Sequence, residues 1–155
     1  MAEICELRTI LETAAVRLVC ERATDAQLAR QRDSVEFTYV YHDRHSYSDF
    51  LDRNLEFHRA IAVAAGNQRL VDALTRHLNE LTRVFHLGLD LRDSAEEMRA
   101  EHLALTEALL ARAGDPAEAV SRSQIARSQQ RVVAALVGSS GSVPSNHLAG
   151  DVQIK

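Results

Sequence analysis

Residues 50–70 read FLDRNLEFHRAIAVAAGNQRL. Phe50, Asn54, Phe57, His58, Ile61 and Ala65 recur at three- and four-residue spacing, the period of one helix face. Gly66 then stops that helix, because glycine accepts the left-handed conformation that closes a final turn, and Asn67 caps the next one. Beyond the cap, Leu70, Leu74, Leu78, Leu81 and Phe85 form a second apolar stripe that runs to about Leu87. Two amphipathic helices joined by so short a connection lie antiparallel. This pair predicts an all-α, six-helix antiparallel bundle.

The flanks extend the pattern. Ile4, Leu7, Leu11, Ala14, Ala15 and Leu18 predict a first helix from about Glu3 to Arg22, with that face inward. Thr24-Asp25-Ala26-Gln27 is a capping box that opens a second helix, expected to fade near Tyr41. The polar stretch His42 to Ser46 reads as a loop, with Ser46 or Ser48 capping the third helix. Ser94-Ala95-Glu96-Glu97 reads as another capping box, for a fifth helix ending at Ala113-Gly114. Asp115 is the expected cap of the sixth, with Pro116 at its first position and an end near Val137. The chain changes character from Gly138-Ser139-Ser140-Gly141-Ser142 onward, so the bundle is expected over residues 1–138, followed by a flexible, disordered tail over 139–155.

Composition narrows the function. The chain has 155 residues, 46% of them hydrophobic and 26% charged, with a formal net charge of −4. A free-standing nucleic-acid reader is usually basic, so this acidic chain is not expected to bind DNA by itself. No apolar run is long enough to span a membrane, and Met1 to Cys5 has no signal-peptide character. A cytoplasmic location follows as the expectation. Cys5 and Cys20 both fall on the first helix, too far apart to bridge, and read as buried thiols.

The informative feature is polar side chains on apolar faces. Asn54 and His58 share the third helix's inner face, one turn apart. His102 lies in the stripe Met98, His102, Leu105, Leu109, and Gln124 and Ser128 lie between Val120 and Val132. A buried polar group without a partner costs about 1–3 kcal/mol. These side chains are therefore expected to meet each other, a water, a metal or a ligand. Taken singly, His58 or His102 is better explained as a satisfied core residue than as a ligand. His77 and His86 read as surface residues of the fourth helix. Glu-x-x-His, His-Glu-x-x-His, a glycine-rich phosphate loop, Gly-x-Ser-x-Gly and Cys-x-x-Cys do not occur, so no enzyme chemistry is specified.

Three segments in order carry a resemblance: Glu6-Leu7-Arg8-Thr9-Ile10-Leu11-Glu12-Thr13-Ala14-Ala15; then Asn54-Leu55-Glu56-Phe57-His58-Arg59-Ala60-Ile61 with Gly66-Asn67-Gln68-Arg69-Leu70; then Glu101-His102-Leu103-Ala104-Leu105 with Ala108-Leu109 and Gly114-Asp115. The chain resembles the effector-binding and dimerisation domain of FadR-type GntR transcription regulators, the FCD domain, over about residues 4 to 137. The resemblance implies a homodimer that binds a small-molecule effector, a carboxylate such as an organic or sugar acid. It implies contact with DNA only through a winged helix-turn-helix placed before this domain, which this sequence does not include.

The resemblance also implies a divalent transition metal, zinc or nickel, held by an Asp and three His. His58 and His102 match two of those histidines. The Asp position is Asn54, and the last His falls on the sixth helix, where Gln124, or Ser128 if the Ala113-Gly114 region carries an insertion, stands instead. A neutral amide is a weak ligand, so metal affinity is expected to be low. The effector is then expected to be held directly by Arg8, Asn54, His58, His102 and Gln124, with the Arg8 guanidinium gripping a carboxylate by two bonds. A metal-dependent bundle enzyme and a ligand-free dimerisation bundle remain the alternatives.

Overall fold

The computed structural model describes residues 2–140. Over them the chain forms α1 (Ala2–Arg22), α2 (Asp25–Asp33), α3 (Arg44–Ala64), α4 (Gln68–Leu89), α5 (Ala95–Leu110) and α6 (Gly114–Ser140), with no strand among the described residues. The main packing partners are α1 with α6, α3 with α4, and α5 with α6. Arg17 of α1 pairs with Asp115 at the start of α6, and Arg8, earlier in α1, meets Ser128 further along α6, so α1 and α6 run antiparallel. The expected tail lies outside the described residues, except that Ser139 and Ser140 prolong α6 beyond its expected end.

The turn that decides the fold is built as its residues dictate. Asn67 accepts the Leu70 N–H at 3.2 Å and starts α4. Gly66 takes a φ of 71°. A Cβ added there would meet nothing within 4 Å, so a substitution at Gly66 is resisted by the backbone alone. Gly66→Ala is therefore expected to destabilise the fold by about 1–2 kcal/mol, the cost of left-handed backbone for an L-residue. Chemical denaturation of the two proteins measures it, and an unchanged midpoint would contradict it.

Other boundaries move. The Thr24 capping box forms in full, but α2 stops at Asp33 rather than near Tyr41. The chain from 35 to 40 is non-helical instead, with alternating burial: Val35, Phe37 and Tyr39 are buried, while Glu36, Thr38 and Val40 face outward. The run Val-Glu-Phe-Thr-Tyr-Val has period two and is rich in β-branched and aromatic residues, which suits an extended strap rather than a helix. Asp43, not Ser46 or Ser48, caps α3 by accepting the His45 and Ser46 N–H groups. Ser46 is drawn away to the strap, where it accepts the Val40 N–H at 3.0 Å.

The expected box at Ser94 does not close. Its side chain makes no capping bond; instead the Asp93 carboxylate accepts the Ala95 N–H at 3.1 Å, and the Ser94 N–H donates to the Tyr39 hydroxyl at 2.8 Å. At the α5–α6 corner the left-handed residue is Arg112, with a φ of 50°, not Gly114. The Arg112 guanidinium donates to the Ala23 carbonyl at 2.8 Å and to Asp25 at 2.9 Å. This tie holds the corner against the end of α1. Helix α6 starts at Gly114, so Asp115 lies inside its first turn rather than capping it, and Pro116 stands at its third position rather than its first. That place still suits a negative charge and a missing N–H.

The largest correction concerns the rotation of α1. Its buried face carries Cys5, Arg8, Glu12, Thr13, Ala15, Val16 and Val19. Leu7 and Ile10 are 46% and 59% exposed. The expected inward face included Leu7 and Ala14, so the helix is turned by about one residue from the reading based on its leucines. Arg8 and Glu12 sit on the inner face because they neutralise each other there. Cys5 is buried, Cys20 is half-buried, and no disulfide joins them. Burial pushes both thiols up from their ordinary range.

Candidate functional site

The side chains singled out from the sequence converge at the centre of the bundle. Arg8, Asn54, His58, His102 and Gln124 are all buried. Helix α3 places Asn54 and His58 one turn apart, α5 brings His102 across to them, and α6 brings Gln124 and Ser128. The His102 Nε2–H donates to Asn54 Oδ1 at 2.9 Å. The His58 and His102 rings lie edge to face with centroids 5.7 Å apart. Phe57 and Phe37 enclose His102 at 4.7 and 4.9 Å, so the strap forms the outer wall of this site.

A residue that sequence reasoning did not place here organises the site. Glu12 is 3% exposed. Its Oε1 accepts from Arg8 Nε at 2.6 Å, and its Oε2 lies 3.3 Å from His58 Nδ1. Burial by itself would raise this carboxyl's pKa. The Arg8 guanidinium and His58 outweigh that and hold it well below the usual carboxylate range. His102 moves the other way in charge: burial, aided by the nearby His58 and Arg8, pushes its pKa well below the ordinary imidazole value and keeps it neutral. The signal for Glu12 was present in the sequence as an Arg8/Glu12 pair at i, i+4.

Arg8 makes further contacts. It donates to Ser128 Oγ at 3.3 Å and stands 5.5 Å over the Phe85 ring, in cation–π reach. These side chains wall a cavity of about 30 Å³, together with Leu51, Leu89, Met98 and Val132. That volume has room for one or two water molecules. A second ion pair closes its α5–α6 side: Arg131 grips Glu101 by two bonds of 3.0 and 2.8 Å. Against these paired groups stand buried atoms with no hydrogen-bond partner within the protein, among them His58 Nε2, His102 Nδ1 and Gln124 Oε1.

The donor set can be compared with what a transition metal needs. Among the described residues no three His, Cys, Asp or Glu side chains are grouped to hold a metal ion. The Glu12 carboxylate faces Arg8 and His58 Nδ1, and His102 Nε2 is bound to Asn54. What remains is neutral, and it lacks the anionic ligand that such a site draws on. These residues do not fit the metal that the family resemblance implies. Outside the site, His77 is buried rather than on the surface, and its Nε2 lies 2.7 Å from the Ile4 carbonyl, which ties α4 to α1.

Comparison with known proteins agrees with this architecture. Residues 3–127 match the family model described as the FCD domain. Among solved structures, E. coli McbR/YncC is similar to the chain at 20% sequence identity and a TM-score of 0.69, over 88% of this chain and 68% of that one. At that identity the likeness concerns the fold. No curated protein matches the chain. A helical bundle with a polar cavity at its centre and this family match define the class: a regulator effector-binding domain. The chain belongs to the FCD domain family.

Proposed function

We propose that the chain is the sensing and pairing part of a GntR/FadR-type transcription regulator, working in the cytoplasm as a homodimer. Its cavity takes a small carboxylate, an organic or sugar acid, directly on Arg8 rather than through a metal. DNA is reached only through a winged helix-turn-helix joined to this domain. The chain binds and signals; it does not catalyse.

One observation carries the reading. Arg8 is a buried guanidinium at a core cavity whose walls include partnerless polar atoms of His58 and Gln124. Arginine has five N–H donors, and its bonds to Glu12 and Ser128 leave others for a ligand carboxylate. The cavity as it stands has room only for water-sized groups, so the effector must part its walls. Met98 is unbranched and adaptable, and Phe85 is only partly buried. Spreading α4, α5 and α6 around a ligand changes helix packing, and such a shift is what a joined DNA reader would sense.

A thermal-shift screen of organic and sugar acids in the presence of a chelator tests this. An acid at one hundred times its dissociation constant stabilises the fold by about 2.7 kcal/mol. For a chain of this size that corresponds to roughly 5–10 °C. A flat response across the panel would contradict the reading. A response that appears only after zinc is added would instead favour metal-assisted binding at Asn54, His58 and His102.

A further inference from the structure

The core cavity has an outer neighbour. A groove of about 220 Å³ lies between α5 and α6, where Ala100 and Ala104 give α5 little side-chain bulk. Glu101 and Gln124 line this groove, and both line the core cavity as well. These two side chains therefore form a wall between the groove and the core. The larger grooves beside α2 and between α3 and α4 share no lining residue with the cavity.

The two parts of the wall are held differently. Glu101 is fixed, because Arg131 grips it by two bonds. Gln124 is buried, and its Oε1 has no hydrogen-bond partner within the protein. An unpartnered buried oxygen gains a bond when it turns toward water. Gln124 is thus the side chain that swings aside at little cost. It precedes Arg127 and Ser128 by one turn of α6, and Arg127 lines the groove while Ser128 lines the cavity.

Charge leads the same way. Arg127 is exposed, and it reaches Glu101 only at 3.7 Å, too far for a hydrogen bond. Its N–H donors are open to an anion from solvent. Arg131 and Arg8 stand further in, on the cavity itself.

We infer that the α5–α6 groove is an outer binding site for small carboxylates and their way into the core. Arg127 receives the anion, and Gln124 swings aside to pass it to Arg8 and Ser128. As the route of the effector this rests on the reading above, but its test uses no effector.

Ser128→Cys places a thiol on the cavity wall, and its alkylation reports what reaches the core. The probes are iodoacetate, itself a small carboxylate, and neutral iodoacetamide, with the adducts located by mass spectrometry. The native buried Cys5 is the internal control for general loosening. In this background Gln124→Ala is expected to speed both reagents about tenfold at the introduced thiol and to leave Cys5 unchanged. Arg127→Gln is expected to slow iodoacetate about threefold and leave iodoacetamide unchanged. Ala104→Phe, which fills the groove, is expected to slow both reagents about tenfold. Ala60→Phe, which fills the groove beside α2, is expected to change neither. Melting curves check that each variant is folded. Parent rates in Ala104→Phe overturn the inference, as does slowing by Ala60→Phe, which moves the route to the other groove. So does a Gln124→Ala variant that reacts no faster or loosens Cys5 equally, an Arg127→Gln variant that treats both reagents alike, or an introduced thiol that never reacts. The acid screen described above decides carboxylate sensing separately, so either reading falls without the other.

Discussion

Glu12→Ala is expected to lower the stability of the fold by about 3–5 kcal/mol, because it leaves the Arg8 guanidinium buried without its counter-charge. In a chain of this length that is a fall in Tm of roughly 6–20 °C. The variant also deprives His58 Nδ1 of its acceptor. The paired change Arg8→Met with Glu12→Leu makes the cause visible. It removes both charges and keeps apolar bulk in the same space, and such replacements of a buried ion pair are often neutral or stabilising. Thermal melts of the two variants should therefore diverge, with the double variant the more stable of the two although it too leaves His58 Nδ1 without its acceptor. A Glu12→Ala variant as stable as the parent would show that Arg8 finds solvent or another partner, and the description of the site would have to change.

The second large effect is on pH. His102 is held neutral in the folded chain, its pKa well below the ordinary 6.5. In the unfolded chain the same ring takes up a proton near that value. Below about pH 6.5 the unfolded state therefore binds one proton more than the folded state, and stability falls as the pH falls. The slope for one proton can reach at most about 1.4 kcal/mol per pH unit, so acidification through and below pH 6.5 steadily removes stability through this group. Glu12 acts with the same sign at lower pH. Its folded pKa is depressed, so its contribution is complete above the ordinary carboxyl range and is lost as the pH drops below it. Denaturation midpoints measured between pH 7 and pH 5 should fall steadily, and His102→Gln should flatten that part of the profile. A flat profile in the parent protein would contradict a neutral, buried His102.

Much of the fold was legible because local signals and the global bundle agree. The Gly66-Asn67 corner, the Thr24 capping box and the leucine stripe of α4 each act through neighbours within a turn, so their chemistry can be read from the chain. The strap at 35–40 carried its own signal, a period of two. It was hidden by the helical segment before it, and only the aromatic contacts with Phe50 and Phe57 show why the non-helical form wins. At Ser94 the local motif was present but lost to competition: Asp93 takes the nearby N–H and Tyr39 reaches across from the strap. No feature of the segment itself announces that tertiary contact.

The site was half legible for a related reason. Asn54 and His102 stand on apolar faces, so both could be seen to point inward, and they do meet. Arg8 was visible as a candidate, but its setting was not. A charged residue normally marks the solvated side of a helix. In α1 two opposite charges cancel one turn apart, and this lets the helix bury them while Leu7 and Ile10 turn outward. The same cancellation hid Glu101, which faces Arg131 from a different helix and could not be paired from sequence spacing.

The central claim is that the core cavity holds a small carboxylate directly on Arg8. Calorimetric titration of the most stabilising acid, with a chelator throughout, tests it most directly when the parent protein is compared with the Arg8→Met, Glu12→Leu double variant. The account predicts about one acid bound per chain, no dependence on the chelator, and no binding to the folded double variant. Binding that the chelator abolishes, or that the double variant retains, would contradict it.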